Sequence, residues 1–223
     1  RSKIVLITGA GISTSAGVSV YRCSSRTKLS SRRVFEFSVL SRFYDHIGAM
    51  YQRSSQLKPT FFHIFMNKLA TDSRLHRHYT QNIDCLESKL SSLAQQTVRL
   101  HGRVDTIICT RCHDTIQVTP EDYNHAVGTE CESCFEMVQE RIQKGKRSTF
   151  RAGVYRPKVL LYGEDSPDDT EITEAFHNDI QSDEIDAVVI VGTRLQVSSI
   201  KKFAYLLCKE VKDRQGTVIW VNK

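Results

Sequence analysis

Two pairs of cysteines carry the clearest chemistry in this chain of 223 residues: Cys109-x-x-Cys112 and Cys131-x-x-Cys134, with 18 residues between them. Such knuckles supply four thiolates, enough to close a tetrahedral shell around one Zn2+. Four protein ligands leave no position for water or substrate, so the expected role is structural. His113 follows Cys112 and reads as a surface residue. A second feature is Gly9-Ala10-Gly11, followed by Ile12 and Ser13. Glycines permit close backbone approach, and free N–H groups at a helix start, here expected at 13–16, bind phosphate. Thr14 stands where a G-x-G-x-x-G turn has its third glycine, and the lysine of a P-loop is missing. The stretch therefore reads equally as a phosphate cradle or as a plain strand–helix turn. A third feature is His101, followed by Gly102, since an imidazole near neutral pKa is the natural general base. Asn82 and Asp84, in Gln81-Asn82-Ile83-Asp84, can bond a ribose or cap the helix that follows.

These residues need a frame. Lys3–Thr8 is a β-branched apolar run bounded by glycine, the pattern of a buried parallel strand. Similar runs recur at Arg77–Thr80, Val98–Leu100, Lys158–Leu161, Ala187–Val191 and Thr217–Val221. Apolar residues at helical spacing mark Phe61–Ala70 and Ser199–Val211. Strands alternating with helices predict an α/β fold with a Rossmann-like doubly wound parallel sheet. Ligands in such sheets bind beyond the carboxyl ends of the strands. The clusters Gly9–Ser13, Gln81–Asp84, His101-Gly102, Gly163-Glu164, Gly192-Thr193 and Asn222 are then expected to converge on one crevice. The alternation breaks near Arg103 and resumes near Arg156, which predicts a small inserted zinc-binding module at 103–156. Residues 1–102 and 157–223 would form the discontinuous main domain.

Composition is that of a soluble globular protein, with 40% hydrophobic and 25% charged residues. No apolar run approaches a membrane span, so no membrane partner is expected. The chain begins at Arg1 rather than Met and leads almost at once into a strand, which reads as a trimmed domain. Seven cysteines, an odd number, without a secretory signal argue for a reducing compartment. The net charge of +6 fits acidic partners such as chromatin as well as it fits ordinary surface variation. Six basic residues against one acid crowd the segment 22–42.

Together the motifs resemble those of the sirtuin family, the NAD-dependent protein lysine deacylases. Gly9-Ala10-Gly11-Ile12-Ser13 resembles the family's first cofactor motif, and Pro59-Thr60 with His63 its following helix. Gln81-Asn82-Ile83-Asp84 and His101-Gly102 resemble its core motifs, and the cysteine pairs its zinc module. Leu161-Tyr162-Gly163-Glu164 resembles the substrate-side motif, and Gly192, Thr193 and Asn222 the late cofactor contacts. Tyr162, within LLYGED, points to the fungal nuclear branch that deacetylates histones. The resemblance implies NAD as cofactor and a structural Zn2+. It also implies an acetylated protein or histone peptide as partner, with chromatin reached indirectly and no sequence-specific nucleic-acid binding. It implies action in the nucleus, with the cytoplasm as a further compartment, and roles in chromatin silencing and transcription regulation. Acetyl transfer to ADP-ribose would accompany nicotinamide release, with His101 as base on a ribose hydroxyl. Gly9, Ala10, Gly11, Ser13, Tyr21, Arg22, Gln81, Asn82, Asp84, Gly192, Thr193 and Asn222 would bind the cofactor. Leu161, Tyr162, Gly163 and Glu164 would bind the substrate, with backbone near Gly163-Glu164 pairing with the peptide as an added strand.

The segment after Gly17 departs from the family pattern. It reads Val18, Ser19, Val20, Tyr21, Arg22 where the family has Ile-Pro-Asp-Phe-Arg. Val20 cannot replace the acid expected beside the nicotinamide carboxamide, and a lost buried hydrogen bond costs about 1–3 kcal/mol. Arg194 replaces the serine usual after Gly192-Thr193. Two readings follow: a deacetylase whose turnover Val20 attenuates, or a catalytically impaired module that binds NAD metabolites or acetylated tails as a chromatin scaffold. A zinc-knuckle nucleic-acid binder would leave the strand-end motifs unexplained.

Overall fold

A computed structural model describes residues 2–18, 37–146, 151–161, 164 and 166–222. Strand β1 (Lys3–Thr8) is the centre of a five-stranded parallel sheet. The helix α1 (Phe37–Gln56) follows, then α2 (Phe61–Thr71), β2 (Leu75–Thr80), α3 (Ser91–Gln95) and β3 (Thr97–Arg99). A second sheet takes β4 (Gly102–Cys109), β5 (Thr115–Gln117) and, after α4 (Tyr123–Ala126) and α5 (Glu132–Gln143), β6 (Tyr155–Val159). The chain then returns through α6 (Asp169–Gln181), β7 (Ile185–Val191), α7 (Ser198–Asp213) and β8 (Thr217–Val221).

The parallel sheet runs β3-β2-β1-β7-β8. Because β2 and β7 flank β1 on opposite sides, the strand order reverses at β1, and the crevice of a doubly wound sheet opens there. Burial on both faces explains the unbroken apolar run Ile4–Ile7 of β1. Val5 and Ile7 join Tyr79, Val188 and Ile190 in a core beneath α6 and α7, while Leu6 turns to Met66, Leu69 and Leu93 of α2 and α3. Helix α7 buries Ile200, Phe203, Ala204, Leu207 and Val211, a stripe of helical period.

The run at Lys158–Leu161 is not a strand of the parallel sheet. Its first two residues end β6, which pairs antiparallel with β4 in the three-stranded sheet β5-β4-β6. Apolar composition identifies a buried strand but not its partner, and β4 was not legible as a strand at all. Helix α1 closes this second unit, where Phe43 and Ile47 pack with Val104, Ile107, Tyr155 and Val159.

Two buried ionisable groups set opposing acid responses. Burial, with the nearby charges of His63 and Arg99, pushes His78 down to about 3. Its ring lies between the hydroxyls of Thr8 (2.8 Å) and Thr97 (2.9 Å). Burial pushes Glu87 up to about 7, against the pull of Arg99. Between pH 6.5 and 3 the unfolded chain binds a proton at residue 78 that the folded chain does not. That stabilisation is full above pH 6.5 and is lost as pH falls toward 3. Glu87 behaves oppositely: its contribution is full below pH 4.5 and is lost as pH rises through 7. Between pH 6.5 and 5 the two slopes therefore offset. Glu87→Gln removes one of them and is expected to steepen the loss of stability on acidification by up to about 1.4 kcal/mol per pH unit. Urea melts of both proteins across pH 5–7 measure this; parallel curves would refute it.

Candidate functional site

The turn after β1 packs directly on the end of β7. The N–H of Gly9 donates to Val191 O (3.1 Å) and that of Gly11 to Gly192 O (2.9 Å). A Cβ on Gly9 would lie 2.7 Å from Thr193 Cβ, and one on Gly11 2.6 Å from Gly192 Cα. The glycines at 9 and 11 are thus already required by two strand ends meeting at the switch point. The expected helix start at 13–16 is replaced by two short 3-10 turns, Ala10–Ile12 and Thr14–Ala16, ended by Gly17 at φ +90°. Gly192 combines both constraints: φ is +66°, and a Cβ there would lie 2.8 Å from Ile12 N. Gly192→Ala is expected to cost about 2–5 kcal/mol, from left-handed strain plus overpacking. Gly17 has open space around its Cβ position, so Gly17→Ala carries the backbone cost alone, about 1–2 kcal/mol. Equal losses in denaturant melts would contradict the close approach.

Side chains from the ends of β1, β2 and β7 meet around this turn. Asn82 Nδ2 donates to Ser13 Oγ (3.1 Å), and Gln81 Nε2 donates to Thr193 Oγ1 (2.9 Å). Ser13, Asn82, Asp84 and Thr193 are buried. Asp84 Oδ1 accepts from Leu86 N (3.1 Å), so it also supports the 3-10 turn Leu86–Lys89, the capping role left open by sequence. His101 Nδ1 lies 3.0 Å from Gln81 O. A carbonyl only accepts, so Nδ1 carries the proton of the neutral ring and Nε2 keeps its lone pair. Burial lowers the pKa of His101, against the opposing pull of the Gln81 carbonyl.

Other expected residues stand apart. Asn222 is exposed beyond β8, with no hydrogen bond to this group among the described residues. Glu164 turns inward: it pairs with Arg156, and its Oε2 accepts from Leu161 N (3.2 Å). Leu161 packs on the core of the second unit. Val20, Tyr21, Arg22, Tyr162 and Gly163 lie outside the described residues. Sequence reasoning passed over Thr8 and His78, whose pairing depends on which strands adjoin.

The four expected ligands form one cluster, Cys109, Cys112, Cys131 and Cys134, with all Sγ atoms within 4.8 Å of one another. The Cys109–Cys134 and Cys112–Cys131 Sγ separations are 3.7 and 3.6 Å. A tetrahedron with Zn–S bonds of about 2.3 Å has edges of about 3.8 Å, whereas a disulfide requires about 2.05 Å. The donor set therefore fits a Zn2+ with a closed thiolate shell. His113 is exposed and outside the cluster.

The sequence profile of the Sir2 family matches residues 9–199. The NAD-dependent protein deacetylase hst4 of Emericella nidulans is 31% identical over 250 residues, covering 100% of this chain and 42% of the relative. Its namesake in Schizosaccharomyces pombe is 31% identical, covering 99% of the chain and 59% of the relative. The NAD-dependent histone deacetylase HST3 of Candida albicans is also 31% identical, over 99% of the chain and 53% of the relative. The chain thus spans between 42% and 59% of the length of these three relatives. Among solved structures, a Sir2 homologue in complex with ADP-ribose superposes with a TM-score of 0.73 at 20% identity, over 98% of this chain and 79% of that one. A Sir2 with p53 peptide and NAD gives 0.68 at 23% identity, over 99% and 81%. At these identities the likeness is one of fold.

Proposed function

Because the chain belongs to the Sir2 family, we propose that it is an NAD-dependent protein deacetylase. It acts on acetylated histone peptides in the nucleus and couples deacetylation to nicotinamide release and acetyl-ADP-ribose formation. The three-stranded sheet with its four-cysteine cluster, closed by α1, serves as its zinc module, and the five-stranded parallel sheet with its helices as its NAD-binding domain. The observation that carries the reading is the bond from His101 Nδ1 to Gln81 O, which leaves Nε2 as a basic nitrogen at the strand-end crevice. The polar groups beside it suit a dinucleotide: a hydroxyl at Ser13, amides at Gln81 and Asn82, a carboxylate acceptor at Asp84 and a hydroxyl at Thr193.

NAD, when bound, supplies the electrophilic ribose carbon that takes up the acetyl oxygen. The chain's own contribution is positional and basic. Gly9–Ser13 and Gly192-Thr193 form the floor of the crevice. Asn82 and Asp84 present polar groups from the β2 end, and His101 Nε2 accepts a proton from a ribose hydroxyl. The closed thiolate shell gives zinc no access to substrate. Leu161, Tyr162, Gly163 and Glu164 form the substrate side. The inward turn of Glu164 leaves peptide pairing to the main chain of this segment.

The test is nicotinamide release from NAD with an acetylated histone H3 peptide. Peptide-dependent release is expected. No release, with NAD or ADP-ribose still binding by calorimetry, would favour the impaired scaffold and a functional cost at Val20.

A further inference from the structure

One face of β6 carries only basic side chains. Tyr155, Pro157 and Val159 are buried, and Arg156 and Lys158 alternate with them on the other face. Both meet acids from the chain that follows. Arg156 pairs with Glu164, and Lys158 Nζ lies 2.8 Å from Asp168 Oδ1. The four side chains are 16–32% exposed, so neither pair is a freely solvated surface bridge. Stability alone does not require such pairs, because burying an ion pair costs desolvation and apolar residues of similar volume often serve as well. What an arginine adds is direction: its planar fork fixes two acceptors at once.

The Arg156 guanidinium spans two such acceptors. Its Nη1 donates to the carbonyl of Val159 (3.3 Å), the last residue of β6, and its Nη2 donates to Glu164 Oε1. The second oxygen of the same carboxylate, Oε2, accepts from Leu161 N (3.2 Å), and Glu164 N donates to Leu161 O (3.2 Å). Leu161 and Glu164 are the two described residues of the expected substrate side. They are tied to each other twice, and to the end of β6 through one guanidinium. The near end of this stretch is registered on the base by main chain: Leu160 N donates to His101 O (3.0 Å), and Gly102 lies opposite Val159.

We propose that Arg156 is a positioning residue for the acetylated peptide: its fork holds Glu164 on Leu161 and so fixes the main chain of the substrate side relative to His101. The inference rests on reading Leu161 and Glu164 as part of the substrate side of a deacetylase. Arg156 acts only through Glu164 and Val159. A peptide can still order a loosened segment as it binds, so loss of the fork appears in KM for the peptide rather than in kcat.

The experiment compares wild type with Arg156→Met, Arg156→Lys, Glu164→Gln and the double variant Arg156→Met/Glu164→Gln. Melting temperature, Kd for NAD by calorimetry, and KM for an acetylated histone H3 peptide with kcat are measured for each. Arg156→Met keeps the apolar stem and removes the fork. It should raise KM for the peptide about tenfold or more, the scale of a lost hydrogen bond to a charged group. Its Kd for NAD and its kcat should stay within about threefold of wild type. Glu164→Gln keeps an acceptor for Leu161 N but loses the charge that the fork holds, and should raise KM likewise. The double variant should be no worse than its worse single member, within about threefold, because both act through one contact. Arg156→Lys keeps the charge without the two-pronged reach, so it should melt near wild type with KM raised about threefold or more.

Wild-type KM for the peptide in Arg156→Met would overturn the inference. So would a rise in Kd for NAD that matches the rise in KM, the sign of general loosening. Single effects that multiply in the double variant would also overturn it, since Glu164 would then meet the peptide independently of Arg156. If Arg156→Met does not fold, Arg156→Lys decides: raised KM at a wild-type melting temperature supports positioning, and wild-type KM leaves Arg156 a prop for stability alone. A wild-type protein that releases no nicotinamide with the peptide would sink the functional reading and this inference together, an outcome that the wild-type control reveals by itself.

Discussion

His101→Ala is expected to lower deacetylation by about 10²- to 10⁴-fold, the range for loss of a positioned general base, with NAD affinity little changed. The expectation comes from how the ring is held. Gln81 O fixes the proton on Nδ1 from a main-chain atom at the end of β2, so the orientation does not depend on a neighbouring side chain. Nε2 is left as the basic nitrogen, and burial favours the neutral ring. The sign of the pH dependence follows. A base must be deprotonated to act, so activity rises with pH through the pKa of His101 and levels off above it. Since that pKa is lowered from 6.5, the acid limb of kcat/KM should have its midpoint below pH 6.5. Proteins assayed at pH 7–8 would then sit on the plateau. A variant retaining more than a tenth of wild-type turnover would remove His101 from the mechanism. A midpoint above 6.5 would mean that another group controls the limb.

His101 was legible in the sequence because it follows an apolar run and precedes a glycine, and a strand end is where a doubly wound sheet places its chemistry. The same logic found β1, β7, β8, α2 and α7, which have clear apolar runs or stripes, and found β2 from the polar cluster that follows Thr80. It failed where periodicity is silent about partners. The run at Lys158–Leu161 looks like the other strands, yet β6 pairs with β4 and not with the parallel sheet. Helix α1 was hidden by the basic residues leading into it, although Phe43, Ile47, Met50 and Tyr51 recur at helical spacing and pack on the second core. The glycines at 9 and 11 were found for an incomplete reason. A phosphate cradle and a close chain crossing demand the same residue, and only the contact with Gly192 and Thr193 reveals the crossing. His63 was visible as part of a motif, but the burial that leaves its Nε2 without a hydrogen-bond partner among the described residues is not encoded there.

Removing zinc should have the largest effect on stability, because the α5 segment of the module has little else to hold it. Of the twelve residues of α5, only Cys134 is buried, and Phe135, Met137 and Ile142 are exposed. All three residues of β5 are exposed. A helix without a buried apolar stripe gains little from packing, so the thiolates of Cys131 and Cys134 are its main attachment to Cys109 and Cys112. The remaining ties are a few hydrogen bonds, among them Cys131 N to Gly153 O (2.8 Å) and Ser133 Oγ to Asp114 Oδ2 (3.1 Å). Structural zinc contributes about 10–16 kcal/mol in isolated zinc-finger peptides. Even a third of that, at about 2–4 °C per kcal/mol for a chain of this size, lowers the melting temperature by about 7–20 °C. Activity should fall with it, because β4 starts at the residue after His101. Val104 N donates to Ile83 O (3.0 Å), and Leu160 N donates to His101 O (3.0 Å). Loosening β4 and β6 therefore loosens the backbone that aims the imidazole. Chelation and Cys134→Ala should produce the same paired loss, whereas Cys208→Ser, outside the cluster on α7, should keep both metal content and turnover. Full activity in protein shown by metal analysis to be free of zinc would refute the structural assignment. A chelated protein that still melts like the holoprotein would show that the apolar core and the hydrogen bonds hold the module without metal.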